Sequence, residues 1–436
     1  MARVAVVGAG AMGLAAAYHA LKLGHQVTVF EGDRVAGGMA AHFDFDGLSI
    51  ERFYHFVCKA DRPTFELMGE LGIADKMIWR DTSMGYYIDG QHYRWGDPLA
   101  LLAFPRLGLI DKLRYGLHMF LSTKRRDWSK LERQNARDWF VKWDGARAYD
   151  VLWRRLFDLK FFEYADNISA AWIWTRIKRV GTSRSSVFQE RLGYIEGGSQ
   201  ALIDALVEAI VSRGGTVRLA AKVSQITSEQ GRVTGLVVDG ERSAFDAVIS
   251  TVPTPFVSAL VPGLSDAAKA RYESIRNIGV VCVLMKLAKP VTPHFWLNIN
   301  DPGIDIPGIV EFSNLRQLPE TVVYVPYYMP QTHPKFSRSS EDFVAEAYGY
   351  LRKLNPALGE GDLKASQVGR LRYAQPVCEP GFLAKIPKVQ TEIAGLQIAD
   401  TCFYYPEDRG ISESVRYGKL MAEAVAEPAV WNAEGR

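Results

Sequence analysis

Three glycines carry the first chemical signal in this chain. Gly8-Ala-Gly10-Ala-Met-Gly13 follows the β-branched run Arg3-Val-Ala-Val-Val7 and leads into an alanine- and leucine-rich stretch that Gly24 ends. A second β-rich run, Gln26-Val-Thr-Val-Phe, closes on Glu31. Strand, glycine turn, helix, strand and carboxylate, in that order, specify a dinucleotide site. Gly8 permits the tight turn, Gly10 lets the backbone approach a pyrophosphate, and Gly13 lets the helix pack on the strand. Ala11 and Met12 open the helix, whose free N–H groups and partial positive charge favour phosphate. Glu31 stands where a carboxylate accepts ribose hydroxyls, and it repels a 2′-phosphate, which argues against NADP. Behind it, Glu31-Gly32-Asp-Arg34-Val-Ala-Gly37-Gly38-Met39 supplies another close backbone approach. NAD has no need of that second pair, whereas the longer FAD does.

Other candidates lie further along. Phe53-Tyr54-His55-Phe56 brings a histidine into an aromatic cluster. Lys286 ends an apolar strand, and Tyr324-Val-Pro-Tyr327-Tyr328 places hydroxylated aromatics on another. By alternation Lys286 shares a face with Leu284 and Cys282. Each has a plain structural alternative: a core histidine, a strand-end lysine, core aromatics with hydroxyls at the rim. The stretch from Asp127 to Arg179 is rich in Trp, Arg and Lys, and reads as a solvated helix face over tryptophans in preference to an anion site. No His/Cys cluster has metal-ligand spacing and no GxSxG nucleophile turn occurs, so neither metal nor acyl-transfer chemistry is expected.

The elements that must position these groups form an α/β chain. With 436 residues, 48% hydrophobic and 23% charged, the chain is an ordinary globular one of roughly two or three domains. The net charge of +3 is too small and too evenly spread for nucleic acid to be the partner. Four widely spaced cysteines (58, 282, 378, 402) and the absence of a signal-peptide pattern suit a cytoplasmic protein. Helices are expected over 62–80, 98–122, 202–211, 341–354 and 411–425. Strands are expected at 217–249 with hairpin turns at Gln230-Gly231 and Asp239-Gly240, and at 278–287, 321–328 and 395–400. The Pro98–Leu121 stretch, followed by Lys124-Arg125-Arg126, can form an amphipathic segment on a membrane surface, but a helix of the substrate domain is the favoured reading.

Four separated segments together resemble the superfamily of FAD-dependent amine oxidases, protoporphyrinogen oxidases and phytoene desaturases. They are the glycine turn with Glu31 and Arg34…Gly37-Gly38; Gly193-Tyr-Ile-Glu-Gly197-Gly198-Ser-Gln-Ala-Leu202; Val223 with Asp246-Ala-Val-Ile-Ser-Thr251-Val-Pro253; and Ala399-Asp400 followed by Glu407-Asp408-Arg409-Gly410-Ile411. The resemblance implies an α/β Rossmann-like FAD domain built from residues 1–80, 190–255 and 370–436. A mixed-sheet and helical (α+β) substrate domain is inserted as residues 81–189 and 256–369. It places Val223 and Thr251 near the adenosine half, Asp400 near the ribityl or pyrophosphate, and Arg409, Gly410 and Ile411 at the flavin N1/O2 edge. It sets Tyr54 and His55 beside the isoalloxazine, Lys286 near N5, and Tyr327 and Tyr328 in a substrate cage. The implied activity is hydride transfer from a C–N or C–C bond of a small molecule, hydrophobic or phosphate-bearing, to flavin N5. A non-redox sugar-nucleotide mutase resembling UDP-galactopyranose mutase is the alternative, and a flavin-binding protein without turnover is a third reading. One departure stands out: Ala399 replaces the glycine that several relatives carry before the aspartate.

Overall fold

The computed structural model describes residues 1–426. The last part of the expected FAD domain, 427–436, lies outside the described residues. Strand Arg3–Val7 forms as the sequence requires, and its Val4, Ala5 and Val6 are fully buried. It is the middle strand of a five-stranded parallel sheet. The order is Thr216–Arg218, Gln26–Phe30, Arg3–Val7, Ala247–Ser250, Leu396–Ile398. A parallel sheet needs cover on both faces, which explains its unbroken apolar runs. Helix Ala11–Lys22 packs against helices Ser199–Ser212 and Ile411–Ala426. The second contact is close because Gly418 has no side chain: a Cβ there would lie 2.5 Å from the Met12 carbonyl oxygen.

A seven-stranded sheet stands opposite. Its order is Leu363–Pro376, Asn277–Leu287, Thr321–Met329, Gly308–Glu311, Trp296–Asn300, Met84–Ile88, Gln91–Trp95. Strand Asn277–Leu287 alternates cleanly between faces. Val281, Val283 and Met285 join Phe343, Ala347 and Leu351 of helix Ser340–Leu354 in one cluster, while Val280, Cys282 and Leu284 face the interior cavity. Helices Leu109–Lys124, Arg155–Phe161 and Ala170–Thr182 roof that cavity. The two hairpin turns expected at Gln230-Gly231 and Asp239-Gly240 are present, all four residues having positive φ.

Three expectations about elements change. Residues 62–80 are not one helix: Arg62–Glu70 is helical, Gly72 takes φ 71°, and Met77–Thr82 becomes a strand paired with Gln189–Ile195. Residues 98–122 form two helices, Pro98–Ala103 and Leu109–Lys124, divided around Pro105, which cannot donate to the helical ladder. The expected domain boundary between 369 and 370 falls inside the strand Leu363–Pro376. Among the described residues no helix is long and apolar enough to cross a membrane.

Candidate functional site

One cavity of about 1600 Å³ runs between the parallel sheet, the seven-stranded sheet and the helical roof. That exceeds the roughly 300–1000 Å³ of pockets for drug-sized ligands, so it has room for a long cofactor and a substrate together.

Its floor is backbone. Gly8 (φ 103°) turns the chain, and Gly10 has nothing within 4 Å of where a Cβ would stand. The second glycine pair lies directly against the first. Gly37 N–H donates to the Ala9 carbonyl at 2.8 Å, and a Cβ on Gly38 would sit 3.3 Å from the Gly10 Cα. Glu31 fixes this turn: its carboxylate accepts the Ala9 N–H at 2.7 Å and the Asp33 N–H at 2.8 Å. Gly8, Gly10, Ala11, Met12, Glu31, Gly37, Gly38, Met39 and Thr251 all line the cavity. Gly13 does not reach it, because it serves packing; a Cβ there would collide with the Gly8 carbonyl oxygen.

A second helix N-terminus opens into the same cavity. Gly410 and Ile411 line it at the start of helix Ile411–Ala426, as does Asp400. Asp400 accepts the Thr254 N–H at 2.6 Å, the Thr254 hydroxyl and the Cys402 N–H at 2.8 Å. These three donors hold the carboxylate in place despite Ala399 before it. Two helix N-termini at one cavity that has glycine-lined approaches fit a ligand with a pyrophosphate and a second electron-rich edge, as in FAD.

The inner end is aromatic and cationic. Tyr54, His55, Tyr328, Trp172, Lys160, Arg176, Asp408 and Arg409 meet there. Tyr54 stacks edge-on against Trp296 and Tyr324. Burial pulls the His55 pKa below its usual value and leaves its Nδ1 without a hydrogen-bond partner. Burial likewise raises the phenols of Tyr54 and Tyr328. Arg176 donates to the Asp408 carboxylate at 2.5 Å and to the Trp172 carbonyl at 2.7 Å. The Arg409 guanidinium donates to the Ala374 carbonyl. Burial, reinforced by the positive charge of Arg176, pulls Lys160 down to about 7.

Several expected residues stand elsewhere. Lys286 has the expected face, but lies too far along its strand to reach the cavity. Its ammonium is held by Asp46 at 2.8 Å and Glu320 at 3.0 Å. Tyr327 points to the opposite face of its sheet, against Phe343. Arg34 is exposed, and Arg52 lines the cavity in its place, paired with Asp33 at 2.7 Å. Gly32 and Val223 stand outside the cavity wall. Sequence reasoning missed Arg52, Lys160 and Arg176. Nothing local marks Arg52. Lys160 and Arg176 sit in the Trp/Arg-rich helices read as solvated, and the tryptophans were the available sign that some of those cations are buried against rings.

Comparison with known proteins matches this geometry. The chain is 27% identical to a 15-cis-phytoene desaturase of Capsicum annuum over 59% of its own length, spanning 48% of that enzyme, about half. It is 28% identical to the 15-cis-phytoene desaturase of Synechococcus elongatus, over 97% of this chain and 95% of that one. The structure of an oxidoreductase from Methanosarcina mazei shares the fold, with a TM-score of 0.73 at 18% identity over 98% of this chain and all of the other. The sequence pattern of the flavin-containing amine oxidoreductases matches residues 13–380, a span that leaves out Gly8, Gly10 and the Asp400–Ile411 segment. The chain belongs to the flavin-containing amine oxidoreductase family.

Proposed function

We propose that this protein is an FAD-dependent oxidoreductase that removes a hydride from a C–N or C–C bond of a small molecule. The carrying observation is that one continuous cavity joins the paired glycine turns to the Tyr54–His55–Tyr328 end. When bound, FAD supplies a hydride acceptor at N5. Gly8, Gly10, Ala11, Met12, Glu31, Gly37, Gly38, Met39 and Thr251 hold its dinucleotide half. Asp400, Arg409, Gly410 and Ile411 hold its other half, where the helix N-terminus and Arg409 favour negative charge. Tyr54, His55 and Tyr328 exclude water and position the substrate bond, with His55 neutral. The residues fit an oxidoreductase of the matched family, and the mutase alternative is not favoured.

Purified protein tests the cofactor. It should absorb near roughly 375 and 450 nm and release FAD, not FMN, on heat denaturation. Colourless protein that takes up no added FAD overturns the reading. Anaerobic bleaching of the bound flavin by members of an amine and polyprenyl panel then tests the hydride step. If only dithionite reduces it, and turnover needs the reduced form, the mutase replaces it.

A further inference from the structure

We propose that the substrate is an amphiphilic anion, its apolar body lying under the helical roof and its carboxylate or phosphate held at the inner end by Lys160 and Arg176. This rests on the cavity being the substrate site of the flavoenzyme proposed above.

Lys160 comes from helix Arg155–Phe161 and reaches the inner end. Among the described residues no hydrogen-bond acceptor or ion-pair partner meets its ammonium. The rings of Tyr328, Trp172 and Phe161 surround it, with centroids at 4.9, 5.5 and 5.9 Å. Arg176, on helix Ala170–Thr182, spends its terminal nitrogens on Asp408 and Trp172, yet its buried Nε has no partner. The charged groups that act on Lys160 are Arg176, Arg409 and Asp408. With Lys160 protonated, three cations face one carboxylate, an excess of two positive charges (3 − 1). Glu407, which also acts on Arg176, does not line the cavity. Buried charge without a counter-ion is costly, and a group with free donors beside an open cavity is built to receive an anion.

Of these cations, Lys160 and Arg176 belong to the roof helices, opposite the glycine floor that receives the pyrophosphate, while Arg409 belongs to the flavin half. Much of the roof-side wall is apolar. Phe120 and Val187, 58% and 65% exposed, both belong to the cavity wall. Met119, Leu152, Leu156 and Ile173 line the same cavity. Leu156 and Lys160 are one helical turn apart on the same helix, so the wall changes from apolar to cationic within that turn. A wholly apolar substrate leaves both donors unmet, and an amine is repelled by them.

Calorimetric titration of the flavin-loaded protein with decanoate, decyl phosphate, decanol and decylamine tests this. Decanoate or decyl phosphate should bind at least about tenfold more tightly than decanol, and decylamine more weakly still. K160M should erase that preference, K160R should keep most of it, and R176K should weaken it, since lysine lacks the fork. The stronger of the two anions identifies the head group. Equal binding of decanol and decanoate, tight decylamine binding, or a preference that survives K160M overturns the proposal. Flavin content, read on the same samples, separates the two readings. Flavin-loaded protein without anion preference sinks this proposal alone. Flavin-free protein that still prefers decanoate sinks the oxidoreductase and leaves the anion site.

Discussion

Glu31 and Lys160 show how differently two charged residues can be legible. Glu31 sits at the end of a strand that sequence periodicity marks, and its carboxylate does two things: it ties Ala9 and Asp33 together and offers remaining lone pairs to a ligand. Glu31→Ala removes both, so flavin affinity should fall about 10- to 100-fold, equivalent to ~1.4–3 kcal/mol, as measured by flavin retention on dialysis. Lys160 has no motif, because most of its meaning comes from the rings of Trp172 and Tyr328 and two guanidinium groups that other segments bring to it. Its folded-state pKa of about 7 lies below its ordinary 10.5, a gap of 10.5 − 7 = 3.5. Below pH 7 the fold must carry a charge it disfavours, and the penalty fades as pH rises from 7 towards 10.5. Lys160→Met should therefore raise the melting temperature at pH 6, by an amount on the order of a few kcal/mol in stability, and the gain should shrink towards pH 10. Asp408, held low by Arg176 against the effect of burial, stays ionised across that range, and Arg176, pulled down by burial to about 10, begins to lose its charge only at the upper end. A gain independent of pH would mean that burial does not depress the Lys160 pKa and that the methionine stabilises by packing alone.

At the scale of elements, the βαβ opening, the two hairpins and the C-terminal helix were readable because each is encoded locally: glycine at a turn, alternation in a strand, an apolar stripe in a helix. What was not readable is which side of an element faces the cavity. Tyr327 and Tyr328 are adjacent and chemically alike, and only the packing of helix Ser340–Leu354 on one face decides that Tyr328 meets the cavity. Lys286 had the correct parity, but its distance along the strand depends on where the opposite sheet stops. Glycines give the sharpest tests here. Gly418 lets two helices, each with its N-terminus in the cavity, pack closely. Gly418→Leu should destabilise by about 1–3 kcal/mol and lower flavin content in the same preparation. Gly349, exposed in a helix with nothing within 4 Å of a Cβ, is the contrast. Gly349→Ala should stabilise by about 0.5–1 kcal/mol and leave flavin content unchanged in thermal melts of the loaded protein.

The whole molecule makes its cavity from parts that have no reason to close without contents. The parallel sheet supplies the floor, the seven-stranded sheet one wall, and a helical roof the rest, and the roof carries its apolar side outward as well as inward. Leu109, Ile110, Leu113, Leu117 and Phe120 are 55–72% exposed on helix Leu109–Lys124, whose buried face is Tyr115, His118 and Ser122. Exposed apolar patches of this kind mark places where an apolar partner arrives, and here Phe120 belongs both to the patch and to the cavity wall. A channel that runs from this rim to Lys160 predicts a chain-length law for its ligand. Each buried methylene contributes ~0.8 kcal/mol, so hexanoate, octanoate and decanoate should each bind about tenfold more tightly than the one before, while K160M lowers all three by a common factor. Calorimetry across the series separates the two contributions: slope reports the apolar path, offset reports the cationic end. A flat series would place the anion at the protein surface and remove the channel from the mechanism.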